Sequence, residues 1–276
     1  MQKRISVIER TRKTASNILS ASLSNVRGKT EKEIRDRILE ETAKHAELFP
    51  TGWYDPPPGG IAVLFDNVPY KRLQFDTLRK EEAWPAESRC ESESVGIVYL
   101  SPVDKATGMF GDTGLTLYSG QDENIRQHLK TCLQLVLGVA EKAEVGMRFN
   151  DLYAFAMDHF RAEGQKMIGW MTTTHDPLKI NLGHTVPGSY DDGTVLGVTF
   201  EDTKEAIRSR RVYINQEEAF MIPPTCAFTV EARLTDLEAK LPNAFFHVIV
   251  TFTDGRKRVL TDFDTVFRTA GMDYML

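Results

Sequence analysis

The sequence predicts an α+β fold built from two related halves that face a shared central cleft. A long helix, a glycine break and a second amphipathic helix occur twice, with Gly28, Glu33 and Ile34 repeated as Gly146, Asp151 and Leu152 at a constant offset of 118 residues. Helical and strand signals also come in separate blocks, with the strands mostly antiparallel. A doubly wound parallel sheet would instead alternate them one by one. The 276 residues are expected to form a single domain, residues 1–276, with halves of about 1–120 and 121–276.

Helical periodicity starts at once in Ile5, Ile8, Ala15, Ile18, Leu19 and Leu23. Gly28 stops this helix, and Thr30 with Glu33 forms a capping box for the next, whose buried stripe is Ile34, Ile38 and Leu39. The prolines of "FPTGWYDPPPGG" exclude helix and central strand, so this stretch is a stiff loop. "GIAVLF", "VGIVYLS" and the alternating "GDTGLTLYSG" are the strands of the first half.

In the second half, Ile125, Leu129, Leu133, Val136 and Leu137 mark a long amphipathic helix that Gly146 ends. Asn150 is placed to cap the helix "DLYAFAMDHFRAEG", which ends at Gly164. "TVLGVTF", "CAFTVEARL", "FFHVIVTFT" and "KRVLTDF" have strand character, and Asp254-Gly255 turns the last two into a hairpin.

Composition narrows the function. Hydrophobic residues at 41% and charged residues at 26% describe an ordinary globular chain. A formal net charge of -5 argues against a nucleic-acid partner, which needs a basic surface. No apolar run is long enough to span a bilayer, and the N-terminus reads as neither signal peptide nor anchor. Cys90, Cys132 and Cys226 are odd in number and lack a Cys-x-x-Cys pair. They read as reduced thiols of a cytoplasmic protein without a structural zinc site. No Gly-x-Gly-x-x-Gly or Walker loop supports nucleotide chemistry.

Three positions carry candidate chemistry. Asp112 opens an alternating strand, His184 lies between glycines in "NLGHTVPGSYDDG", and Glu231 interrupts the apolar "AFTVEARL". Taken singly they read as a turn aspartate, a loop histidine and a surface-facing glutamate. A glutamate flanked by Phe228 and Val230 can also point inward, where it needs a partner or a metal. Trp53, His175, Tyr190, Asp191 and Arg233 are candidates for substrate recognition. Arg233 shares the strand face of Glu231, and can hold a substrate carboxylate or pair with an acid of the site.

In order, these motifs resemble the pita-bread family of methionine aminopeptidases, prolidases and creatinases. "VRGKTEKEI" is similar to that family's helix start, "GDTGLTLYSG" to its Asp strand, "LGHTVPG" to its Gly-His loop, "FTVEARL" to its Glu strand and "FHVIVTFTDGRKRVLT" to its closing hairpin. The resemblance covers nearly the whole chain, and implies the pita-bread fold with two pseudo-symmetric halves and a homodimer. The family's peptidases hold two metal ions with two Asp, one His and two Glu. Asp112, His184 and Glu231 match three of these five. Ser101 stands at the first Asp, Phe246 at the final Glu, and Asp191 at a second histidine of the Gly-His loop. His247 is one residue from Phe246 and is expected to face the other side of its strand.

Two close divalent ions need several carboxylates, so no dinuclear site is expected. Asp112, His184 and Glu231 are left to hold one divalent ion (Mn, Fe, Co or Zn), or to act without metal as acid and base, with His184 carrying the proton at a pKa near or above neutral. The leading expectation is a non-standard pita-bread hydrolase or lyase acting on a C–N bond of a small polar molecule. A metalloaminopeptidase with a reduced metal site and a catalytically silent ligand- or protein-binding domain are the alternatives.

Overall fold

The computed structural model describes residues 1–55, 57–87, 89–168, 176, 178 and 180–276. His175, one of the candidates for substrate recognition, lies outside them.

Helix α1 (Gln2–Ser22) buries the expected stripe of Ile5, Ile8, Ala15, Ile18 and Leu19. Helix α2 (Glu31–Ala43) starts at the expected capping box, in which the Thr30 side chain accepts from the Glu33 amide and the Glu33 carboxylate from the Thr30 amide. Strands β1 (Ile61–Asp66), β2 (Val95–Leu100) and β3 (Thr113–Tyr118) follow as an antiparallel meander. Helices α3 (Glu123–Lys142) and α4 (Phe149–Ala162) open the second half, and β4 (Gln165–Met167) follows them. Arg148 is the N-cap of α4, two residues before the expected Asn150. Asn150 sits inside the first turn, and its side-chain oxygen is buried without a hydrogen-bond partner among the described residues.

The segment "TVLGVTF" is not a strand. Thr199 and Asp202 form a second reciprocal capping box that starts helix α5 (Phe200–Ser209), and Val198 is left fully in solvent. The local cap outweighs the β-branched composition of the segment. Strands β5 (Cys226–Val230), β6 (Arg233–Asp236), β7 (Ala244–Thr253) and β8 (Arg256–Leu260) and helix α6 (Asp264–Thr269) complete the chain.

One antiparallel sheet runs β1-β2-β3-β7-β6-β4, with β5 and β8 also paired to β7. Strand β7 joins the halves, with Gly114 of β3 opposite His247 and Leu115 opposite Phe246. The halves repeat in detail. Gly28 and Gly146 both take positive φ, at 79° and 88°. The Gly28 amide donates to Cys90 and the Gly146 amide to Ile222. Thr30, the N-cap of α2, bridges Arg89, and Arg148, the N-cap of α4, bridges Met221. Thr30 and Arg148 keep the offset of 118 residues.

Register places the site. Val230 pairs with Val248 and Arg233 with Phe245 in the same register on either side of a two-residue break at Glu231 and Ala232, which puts Glu231 level with His247. On the far side of β7, His247 faces Gly114, and Gly114 faces Tyr99 of β2. Paired residues share a face, so Tyr99, His247 and Glu231 point the same way, and Asp112, two residues before Gly114, joins them. Phe246 points to the other face, where it meets Phe263 edge-on. Helices α1 and α3 pack against β7 and β3, and α2 packs against β1.

Candidate functional site

Asp112 is fully buried at the entrance of β3. One carboxylate oxygen accepts from Trp53 Nε1 at 2.8 Å and the other from the Tyr99 hydroxyl at 2.9 Å. Burial pushes its pKa up to about 7 against these hydrogen bonds, with the negative charge of Glu231 adding to the rise. Behind it, the buried guanidinium of Arg12 on α1 donates to the Asp112 carbonyl, to the His247 carbonyl at 2.8 Å and to the Thr261 carbonyl at 2.5 Å. Gly111 allows this close packing, since a Cβ there would lie 2.2 Å from the Arg12 amide nitrogen. Arg12 thus ties the start of β3 to β7. Burial lowers its own pKa to about 10.

His247 lies between the two acids, its Nε2 3.9 Å from Asp112 Oδ2 and 3.8 Å from Glu231 Oε2. Both ring nitrogens are buried, and neither has a hydrogen-bond partner among the described residues. Burial lowers its pKa well below the usual imidazole value, and Arg12 lowers it further. The expectation that His247 faces away is therefore corrected. Phe246 takes the outer face and His247 the inner one. The whole of β7 except its last residue is buried, so alternating polarity gives no clue to which face is which.

Glu231 ends the row. Its Oε1 lies 3.7 Å from His184 Nε2 and its Oε2 3.6 Å from Arg233. Of the two roles open to Arg233, its position realises the ion pair with Glu231. Burial raises the Glu231 pKa, opposed by Arg233 and Arg211. His184 is fixed at both ends, its amide donating to Thr229 Oγ1 at 2.9 Å and its Nδ1 to the Thr185 carbonyl at 3.0 Å. A carbonyl only accepts, so Nδ1 carries the proton and Nε2 presents a lone pair to Glu231. Burial, and then the charge of Arg211, lower the His184 pKa well below its usual value. The expected raised pKa is not found. Arg211 and Arg233 lie close enough to oppose protonation, and burial acts in the same direction.

Aromatic rings frame this row. Trp53 stands edge-on to His184 at 5.8 Å, and Tyr213 stands edge-on to it from another side at 6.1 Å. Arg211 lies over the Trp53 ring at 4.8 Å and the Tyr213 ring at 5.1 Å. Of the remaining candidates, Tyr190 and Asp191 are engaged elsewhere. The Tyr190 hydroxyl donates to the Arg210 carbonyl at 3.2 Å, and Asp191 forms an ion pair with Arg210 at 2.9 Å. Ser101 is buried in backbone contacts, donating to the Gly60 carbonyl and accepting from the Tyr54 amide, each at 3.1 Å. Among the described residues, no group of three or more His, Cys, Asp or Glu side chains is placed to hold a metal ion.

No protein-family model and no curated protein sequence matches the chain. Solved structures do. X-Pro aminopeptidase from Thermotoga maritima superposes with a TM-score of 0.63 at 14% identity, over 95% of this chain and 61% of that one. Prolidase from Pyrococcus furiosus gives 0.63 at 16% identity, over 95% and 64%. Methionine aminopeptidase from Thermotoga maritima gives 0.59 at 13% identity, over 92% and 96%.

The fold is the pita-bread fold. The chain spans about three fifths of the X-Pro aminopeptidase and prolidase chains but nearly all of the methionine aminopeptidase. Within this pita-bread frame, Asp112, His184 and Glu231 fall on one side of the sheet with Trp53 and Arg233 beside them. Sequence reasoning missed Tyr99, Arg12, Arg211 and the orientation of His247. A tyrosine inside the otherwise apolar "VGIVYL" was the available signal for Tyr99. No helix among the described residues is long and apolar enough to cross a membrane.

Proposed function

We propose that this pita-bread chain is a hydrolase that cleaves a C–N bond of a small polar molecule by proton transfer among its own side chains, without a divalent ion. The observation that carries the reading is the buried row Asp112, His247, Glu231 and His184, whose members lie 3.7–3.9 Å apart in sequence along the row. Burial shifts every group in it toward the neutral form, so carboxyl groups with a raised hold on the proton face imidazoles with a lowered one. Acids and bases poised this way suit chemistry near neutral pH.

A divalent ion suits this donor set poorly. Both oxygens of Asp112 already accept strong hydrogen bonds, and guanidinium groups bring the positive charge that a metal would bring to the carboxylates. Ser101 and Phe246 occur where the resemblance places two further carboxylates.

In the proposed hydrolysis, His184 Nε2 takes a proton from water and the water oxygen bonds to the substrate carbon. The C–N bond breaks as the leaving nitrogen takes a proton from the Glu231 carboxylic acid. Return of the proton from His184 to Glu231 across the 3.7 Å gap restores the site. His247, between Glu231 and Asp112, holds the second acid in the same exchange.

The test is a panel of small amides, amidines and guanidino compounds followed by mass spectrometry. Turnover should persist in chelator, and His184→Gln should lower kcat by roughly 100-fold or more. Stoichiometric bound metal with chelator-sensitive cleavage of X-Pro or methionyl peptides would overturn it in favour of a reduced metallopeptidase.

A further inference from the structure

We propose that the groove between α3 and α6 is a binding site for a free apolar α-amino acid, on the opposite face of the sheet from the buried row. It is a cavity of about 420 Å³ walled by Leu133 and Leu137 of α3, by Phe263 and Phe267 at α6, and by Met275. Leu133, Phe263 and Phe267 are buried, and Leu137 and Met275 are half-buried, so the wall is built from core side chains. An apolar cavity of about 150 Å³ already holds benzene, and this one has room for a leucine or phenylalanine side chain.

Strand β7 separates the cavity from the row. Phe246 points away from the face that carries His247, and its ring packs edge-on against Phe263 of the cavity wall at 6.1 Å. Two opposite charges flank the wall. Asp264 and Arg268 also line the cavity, four residues apart and so on one side of α6, with Phe267 between them. That spacing ordinarily brings an acid and a base together. Here neither side chain makes a hydrogen bond or an ion pair among the described residues, so both charges stay available beside the apolar wall.

An α-amino acid carries the complementary set. Its carboxylate suits the Arg268 guanidinium, its ammonium suits the Asp264 carboxylate, and its apolar side chain suits the Leu and Phe wall. A fatty acid or an apolar amine would use one of the two charges and leave the other against its hydrocarbon. A sugar or a phosphate would leave the apolar wall unmatched.

The experiment is a methyl-NMR titration of the full chain with L-leucine, isocaproate (leucine without its ammonium) and isoamylamine (leucine without its carboxylate). L-leucine should saturate at roughly millimolar concentration and shift the signals of Leu133, Leu137 and Met275. Each analogue should bind about fivefold more weakly, the upper end of what an exposed ion pair contributes. Arg268→Gln should weaken L-leucine by about fivefold and leave isoamylamine within about twofold. Asp264→Asn should weaken L-leucine equally and leave isocaproate within about twofold. Both positions are exposed, so neither substitution disturbs the core. Isocaproate binding as tightly as L-leucine would make this a site for amphipathic carboxylates and overturn the proposal. L-leucine binding that neither substitution weakens, or shifts confined to the central row, would overturn it too. A dimer that Leu137→Lys dissolves, with no saturable L-leucine binding, would make the groove an interface between copies and have the same effect.

Discussion

At the scale of the residue, Asp112 combines a hydrogen-bonding post with a titrating group. Its folded pKa of about 7 lies above the roughly 4 expected in an unfolded chain. The folded state thus binds this proton more tightly than the unfolded state does. Below pH ~4 both states hold the proton and the contribution is fully present. Between ~4 and about 7 only the unfolded state releases it, so stability is lost as pH rises through that window. Urea denaturation should therefore show wild type losing stability relative to Asp112→Asn as pH rises from 4 to 7; a relative stability that stays flat across that window would refute the buried, protonatable carboxyl. Asp112 and Glu231 were legible because an acid inside a strand pattern is chemically costly, and His184 because glycines surround it. Arg211 was not legible, since "SRRVY" shows Tyr213 two residues away but gives no sign that Trp53, distant in sequence, also lies against the guanidinium.

At the scale of the element, caps and register decided what sequence could tell. The box at Thr30 was read correctly because its two partners are three residues apart in the chain, and both hydrogen bonds are made locally. Asn150 was misread because α4 starts earlier, its first turn held by long-range bonds: the Phe149 amide donates to Phe220 and the Asn150 amide to Glu218. Thr30→Ala should cost about 1 kcal/mol in chemical denaturation, the usual loss for a cap. Asn150→Ala should cost less and can stabilise the fold, since it removes a buried, unpartnered oxygen. If Asn150→Ala proves the more damaging of the two, the helix starts where the sequence placed it. The register of β7 is the opposite case, in which a strand buried on both faces carries no period-2 signal and only pairing with β3 and β5 tells His247 from Phe246.

At the scale of the whole molecule, the repeat at 118 residues was the most legible feature, and it is also where the halves can be compared energetically. Gly28 and Gly146 hold equivalent breaks at positive φ, and an added Cβ at either position would meet nothing within 4 Å. Substitution by alanine therefore adds backbone strain without a clash, at a cost of about 1–2 kcal/mol per site. The two glycines donate to different partners, Cys90 and Ile222, so their effects have no shared hydrogen bond through which to couple. Gly28→Ala and Gly146→Ala should each destabilise by similar amounts, and the double variant by their sum within about 0.5 kcal/mol. Urea titrations of the three variants measure this directly. A neutral result at one glycine beside a severe one at the other would mean that the two breaks do different work, and that likeness of backbone between the halves does not extend to their energetics.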